Sequence, residues 1–293
     1  MSLASLYSAN KTAVSFELFP PKTERGERAL LRHVTQLMTL QPDYVTCTYG
    51  AGGSTRDKTL ALITKIKQVF QIPVASHVTC VQSSLDQLRE YLDATRDAGV
   101  DYIVALRGDP PIGEDAFRPP PNGLRFANEL VTFIRSEYPS FGIAVAGYPE
   151  THREAVSAEA DLDNLKRKVD AGAEIVITQL FYDNNDFFRF RARAERAGIR
   201  VPLVPGILPV TRLDQIQRIS ALCGARLPEP FVARLTAAED MRGQFEVGVD
   251  YAIHQVAELI REGVAGLHFF VLNRSEATTA ILRAVRTSCE ADS

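Results

Sequence analysis

Tyr102-Ile103-Val104-Ala105-Leu106-Arg107-Gly108-Asp109-Pro110-Pro111 is the stretch on which the fold turns. An apolar run that stops in a charged corner broken by Gly and Pro reads as a buried strand, delivering Arg107 and Asp109 together at its carboxyl end. An ion pair closing a strand terminus would explain this segment equally well on its own. Recurrence separates the two, because the same pattern returns along the chain with polar residues at the same end each time.

Working outward, eight short apolar runs emerge: 14–19, 44–49, 74–79, 102–106, 143–148, 175–181, 201–208 and 267–272. Between them lie amphipathic stretches of helical spacing: 27–40, 58–70, 85–98, 124–136, 158–171, 185–197, 213–222, 247–262 and 275–286. Ala98-Gly99, Ala171-Gly172 and Ala197-Gly198 are helix-stop signals. Strand and helix alternating eight times predict a parallel sheet closed as a (β/α)8 TIM barrel. The segment 228–243 predicts an extra helix before the last strand, and residues 1–11 predict a short flexible N-terminus. No linker or composition break divides the chain, so a single domain over 1–293 is expected. No GxGxxG follows any strand, which argues against a doubly wound dinucleotide fold.

Composition sets the outer limits. The chain has 293 residues, 45% hydrophobic and 24% charged, with net charge −3, as expected of a globular protein with one large core. No charge block points to nucleic acid or an anionic membrane. No signal-peptide pattern opens the chain, and no apolar run is long enough to span a bilayer. Cys47, Cys80, Cys223 and Cys289 are scattered without a CxxC pair, which suits a reducing, cytoplasmic setting.

Alternation assigns inner and outer faces, since helices cover the outside of such a barrel. Phe16 and Leu18 suit the helix layer, turning Ser15 and Glu17 toward the axis; Val45 and Cys47 leave Thr46 and Thr48 inside. In the fourth strand Val104 and Leu106 are assigned outward and Arg107 inward. A carboxylate in a barrel interior is costly unless paired or used, so Glu17 is the most informative residue; its structural alternative is an ion pair with Arg107 or another base. Tyr49, His77, Thr79, Arg107, Asp109, Tyr148, His152, Gln179, Asn273 and Arg274 converge on one barrel end. Asp161, Asn164 and Lys168 add a polar helical stripe, either a solvated face or a cofactor wall. No cluster has metal-ligand spacing, no GxSxG occurs, and no strand carries a Schiff-base Lys. A metal-free site of this kind suits an organic cofactor and redox or group-transfer chemistry.

Nine segments in order resemble the catalytic barrel of the methylenetetrahydrofolate reductase family, over about residues 12–287. Among them are Ser15-Phe16-Glu17-Leu18-Phe19-Pro20-Pro21-Lys22, Ser76-His77-Val78-Thr79-Cys80, Leu106-Arg107-Gly108-Asp109-Pro110-Pro111 and Tyr148-Pro149-Glu150-Thr151-His152. Ile177-Thr178-Gln179-Leu180-Phe181, Pro205-Gly206-Ile207-Leu208-Pro209-Val210 and His268-Phe269-Phe270-Val271-Leu272-Asn273-Arg274 continue the series. With no regulatory domain after the barrel, the chain resembles the short bacterial form.

The resemblance implies reduction of 5,10-methylenetetrahydrofolate to 5-methyltetrahydrofolate by NADH or NADPH through bound FAD, in a ping-pong sequence, by a cytoplasmic homo-oligomer. It implies that Thr48, Tyr49, Ala51, His77, Arg107, Gly108, Asp109, Ala127, Tyr148, His152, Asp161, Asn164, Arg167 and Lys168 hold FAD. Glu17 would be the general acid, its pKa raised by desolvation, and Asp109 would sit near flavin and pterin. Gln179, Gln215, Ile219 and Arg274 would contact the substrate. Ile219 stands where other bacterial members carry a phenylalanine, and so keeps apolar contact without ring stacking. The loop 112–122 is longer than in some relatives, and Phe126 stands where tyrosine is common. A flavin-free pterin-binding barrel transferase and a non-catalytic barrel kept for assembly are the alternatives.

Overall fold

A computed structural model of the chain describes residues 2–7, 11–49, 56–109 and 118–291, with side chains through 287. Eight parallel strands close a barrel in sequence order, β8 returning to β1. They are β1 (Ala13–Leu18), β2 (Tyr44–Cys47), β3 (Val74–Thr79), β4 (Tyr102–Leu106), β5 (Gly142–Gly147), β6 (Ile175–Leu180), β7 (Leu203–Ile207) and β8 (Gly266–Phe270). The crossovers are α1 (Glu24–Met38), α2 (Arg56–Phe70), α3 (Leu85–Asp97), α4 (Ala127–Glu137), α5 (Ala158–Asp170), α6 (Asn184–Arg196) and α7 (Leu213–Cys223). The expected extra helix is α8 (Glu229–Ala237), followed by α9 (Met241–Arg261) and, after β8, α10 (Glu276–Ala291).

The TIM barrel expected from periodicity is the fold observed. Helix starts follow side-chain caps: Thr23, Ser84, Ser157, Asp183 and Asp240 each accept a hydrogen bond from a first-turn backbone N–H. Positive φ at Gly99, Gly172 and Gly198 bears out the three stop signals. Boundaries move by a few residues. α9 starts six positions before the expected 247, because Asp240 supplies a cap that apolar spacing does not register.

Two expectations are corrected. Val104 and Leu106 line the barrel interior with Tyr44, Ala75, Ala144, Ile177 and Val204, while Ile103 and Ala105 pack outward. β4 is apolar on both faces, so alternation carries no phase there, and Arg107 does not point down the axis. Nor is the whole N-terminus loose. Leu3–Tyr7 form a 3-10 helix with Leu3 and Tyr7 buried in that same interior cluster. The Glu174 carboxylate accepts hydrogen bonds from Ser2 Oγ and Leu3 N, both at 2.6 Å, and pairs with Arg135. Gly266 makes room for the plug, since a Cβ there would lie 2.4 Å from the Tyr7 ring. The amino-terminal half of the barrel is thus sealed and apolar, and polar residues occupy the carboxyl-terminal half.

Candidate active site

Just below the carboxyl-terminal mouth, β1 presents Glu17, 8% exposed, to β3 and β8. Its Oε2 lies 3.4 Å from Nε2 of His77 and 3.4 Å from Nε2 of His268. The registers Ser15↔His268 and Glu17↔Phe270 bring β1 and β8 together so that the Ser15 hydroxyl meets His268 Nδ1 at 2.8 Å. Among the described residues, only the His268 contact is aligned as a hydrogen bond to Glu17, and the buried His77 Nε2 makes none. Thr46, opposite Glu17 on β2, likewise has no partner for Oγ1 among the described residues.

Burial is the largest influence on the Glu17 carboxyl and pushes its pKa up. The charge of His77 and the hydrogen bond to His268 outweigh it, and the pKa lies below the usual carboxylate value. This reverses the expectation of a raised pKa: alternation turns Glu17 inward but does not reveal two imidazoles beside it. Of the structural alternative, an ion pair with Arg107 or another base, the Arg107 form is absent because Arg107 pairs with Glu154, and the bases beside Glu17 are the imidazoles of His77 and His268. Burial pushes the His77 pKa down, which favours the neutral imidazole.

A second group lies at the same mouth on β4, β5 and α5. Arg107 grips the Glu154 carboxylate with both terminal nitrogens, at 2.6 and 2.9 Å. Gly108 turns the chain at φ +88°, where a Cβ would meet Val81 at 2.7 Å, and leads to exposed Asp109. The rings of Tyr148 and His152 meet edge to face at 4.6 Å, and between them Thr151 holds a left-handed φ of 76°. Asp161 accepts from the His152 N–H at 3.0 Å, and Lys168 Nζ donates to the Ala146 carbonyl at 2.6 Å. Burial pushes the Lys168 ammonium down to about 8, against the pull of Asp161. Asn164 and Arg167 are exposed on the same helix.

The remaining expected residues surround these two groups. Thr48 and Tyr49 follow β2, and the Tyr49 hydroxyl accepts from Thr79 N at 2.6 Å. Ala127 is the first residue of α4. Gln179 stands where the β6–β7 register shifts between Ile177 and Leu180, and its amide oxygen accepts from Leu180 N. Gln215 and Ile219 lie on α7, with Ile219 half-buried against the cluster that holds Tyr182 and Phe231. Arg274 is exposed after β8, whereas Asn273 is a structural clamp, binding Phe19 N and O at 2.8 Å each. Ala51 and residues 112–117 lie outside the described residues. Sequence reading missed two participants: His268, which the alternation of Leu267 and Phe269 could have turned inward, and Glu154, which has no local signal.

Cations for phosphates, an acid for a hydroxyl, aromatic edges and two unsatisfied interior polar atoms suit a large anionic organic cofactor beside a proton-handling carboxyl. No group of three or more His, Cys, Asp or Glu among the described residues could hold a metal ion. No helix there is long and apolar enough to cross a membrane.

Against an uncharacterized protein from Clostridium thermocellum whose structure is described as binding two copies of 5-methyl-5,6,7,8-tetrahydrofolic acid, the TM-score is 0.66 at 16% identity, covering 95% of each chain. That likeness shows the fold. The chain is 42% identical over 269 residues to 5,10-methylenetetrahydrofolate reductase of Escherichia coli (strain K12), covering 92% of this chain and 88% of that one. For the enzyme of the same name from Pectobacterium carotovorum subsp. carotovorum the figures are 41%, 96% and 91%. Methylenetetrahydrofolate reductase (NADH) 1 of Arabidopsis thaliana is 35% identical, and the chain spans 96% of its own length but 49% of that protein's. The family model for methylenetetrahydrofolate reductase matches residues 2–286, and with the barrel and its mouth already in place, the chain belongs to that family.

Proposed function

We propose that the chain reduces 5,10-methylenetetrahydrofolate to 5-methyltetrahydrofolate, taking its electrons from NADH or NADPH through bound FAD. The observation that carries this reading is Glu17, a buried carboxyl between two imidazoles, opening on the same barrel mouth as the wall of Arg107, Tyr148, His152, Asp161 and Lys168. FAD, when bound, supplies the two-electron carrier that takes hydride from the nicotinamide and passes it to the folate.

Arg107, Arg167 and Lys168 are the cations for the pyrophosphate, and Asp161 accepts from a ribityl or ribose hydroxyl. Thr48, Tyr49, Gly108, Ala127, Tyr148, His152 and Asn164 complete the wall, and His77 offers its unsatisfied nitrogen. Substrate covering the mouth excludes water and pushes the Glu17 carboxyl up from its unliganded position. Protonated Glu17 then gives its proton to the folate nitrogen as the five-membered ring opens. Asp109 favours the cationic iminium that results, while Gln179 and Gln215 orient the pterin, Ile219 packs against it and Arg274 pairs with the glutamate tail.

No nucleotide fingerprint sets apart a second site, so NAD(P)H and folate use the same mouth in turn, and double-reciprocal plots should run parallel. The test is an absorbance spectrum of the purified protein, taken anaerobically before and after NADH and again after methylenetetrahydrofolate. A flavin band at about 450 nm should bleach and then return. A colourless protein would instead favour the pterin-binding transferase.

A further inference from the structure

Helix α7 carries the proposed substrate residues Gln215 and Ile219, yet it is thinly anchored. Only Ile216 and Ser220 of its 11 residues are buried, so its ends depend on side chains from elsewhere. At the amino end Arg212 makes no side-chain cap, and the Gln244 amide oxygen on α9 accepts from Leu213 N at 3.0 Å.

At the carboxyl end the tie comes from the β5–α5 loop. Arg153 Nη1 donates to the carbonyls of Ala221 and Leu222 at 3.1 and 2.8 Å, groups that the end of a helix leaves without helical partners. Gly224, at φ +77°, lets the arginine stem lie against this turn, since a Cβ there would meet Arg153 Cγ at 2.7 Å. Just beyond, the Glu150 carboxylate accepts from Arg226 N at 3.0 and 3.2 Å, and the Arg226 guanidinium reaches Asp186 on α6. The loop that makes these contacts is the one that holds Tyr148 and His152. Glu154, next to Arg153, grips Arg107 at the end of β4. Two consecutive side chains therefore span part of the mouth, one fixed to α7 and the other to the Arg107 corner.

We propose that residues 150–154 form a strap in which Glu150 and Arg153 are positioning residues for α7, setting where Gln215 and Ile219 meet the substrate. This deepens the functional reading above and rests on it for the roles of α7 and of the cofactor wall. His152 lies within the strap and is held by Asp161, so a cofactor packed on that wall fixes the strap, and the strap fixes α7. Cofactor and folate are then coupled through side chains spent on the protein itself.

Arg153→Met removes the donors while keeping most of the length, and Arg153→Lys retains a cation that can reach the same carbonyls. Amide hydrogen exchange of the full chain, read by mass spectrometry without folate, should quicken across 213–223 in Arg153→Met and stay near wild type in Arg153→Lys. Stopped-flow mixing of the NADH-reduced protein with methylenetetrahydrofolate should show the apparent Kd for folate raised about fivefold in Arg153→Met. The limiting rate should stay within about twofold of wild type, and Arg153→Lys should recover most of the affinity. Glu150→Ala should repeat the pattern, and wild-type behaviour there would remove Glu150 from the strap. A lowered melting temperature with an unchanged folate Kd in Arg153→Met would make Arg153 a helix cap alone and overturn the proposal. Unchanged exchange in α7 would overturn it as well. A wild type that never reduces folate would sink the functional reading instead, and the tie to α7 would then stand or fall on exchange alone.

Discussion

Glu17 and His268 are 251 residues apart in the chain, and their side chains meet at 3.4 Å because β8 closes the barrel against β1. Neither strand could build the site alone. A carboxylate buried in that interior without the imidazoles would be strongly destabilising, and the same pairing holds it in one orientation toward the mouth.

Acid should loosen the fold through His77. Its folded pKa lies below the free value of 6.5, so the unfolded chain binds the proton first; the stability this represents is complete above about pH 6.5 and is lost as pH falls toward the folded value. His152 is shifted the same way, by burial first and then by Arg107. Melting temperature should therefore fall from about pH 7 to about pH 5, each group contributing at most about 1.4 kcal/mol per pH unit. Thermal melts of His77→Gln should show a shallower fall, and His77→Gln/His152→Gln a shallower one still.

Cofactor binding should have a pH limit, with Lys168 in the phosphate site proposed above. With its ammonium near 8, the unliganded protein loses this cation in mild alkali. Calorimetric titration with FAD should show affinity falling about tenfold between about pH 7 and about pH 9 in wild type. Lys168→Met should bind more weakly at the lower pH and show little further fall. A wild-type affinity that is flat over this range would remove Lys168 from the phosphate site.

Glu154 competes with any anion for Arg107, since it already grips the guanidinium with both oxygens. Glu154→Gln should tighten FAD binding about three- to tenfold, and the gain should shrink at high salt. Weaker binding in the variant would mean that Glu154 holds Arg107 in place for its ligand.

Much of this was legible from the letters, and the gaps have physical causes. Glu17 could be turned inward because Phe16 and Leu18 mark the other face as apolar. β4 offered no such contrast, and its two faces were exchanged. The N-terminal helix has too few residues to show a period, and what holds it, Glu174 and the space at Gly266, lies far along the chain. Asn273, counted with the ligand-facing polar residues, is spent on Phe19. Side-chain pairing across strands sets proton affinities, which is why the direction of the Glu17 shift could not be read from its own segment.

The most direct test of the central claim is anaerobic stopped-flow absorbance of wild type and Glu17→Gln, each first reduced by NADH and then mixed with methylenetetrahydrofolate. Both proteins should bleach at similar rates, and only wild type should regain its flavin colour promptly, with return in the variant slowed by about a hundredfold or more. Colour returning at the wild-type rate in Glu17→Gln would contradict the assignment of Glu17 as the acid.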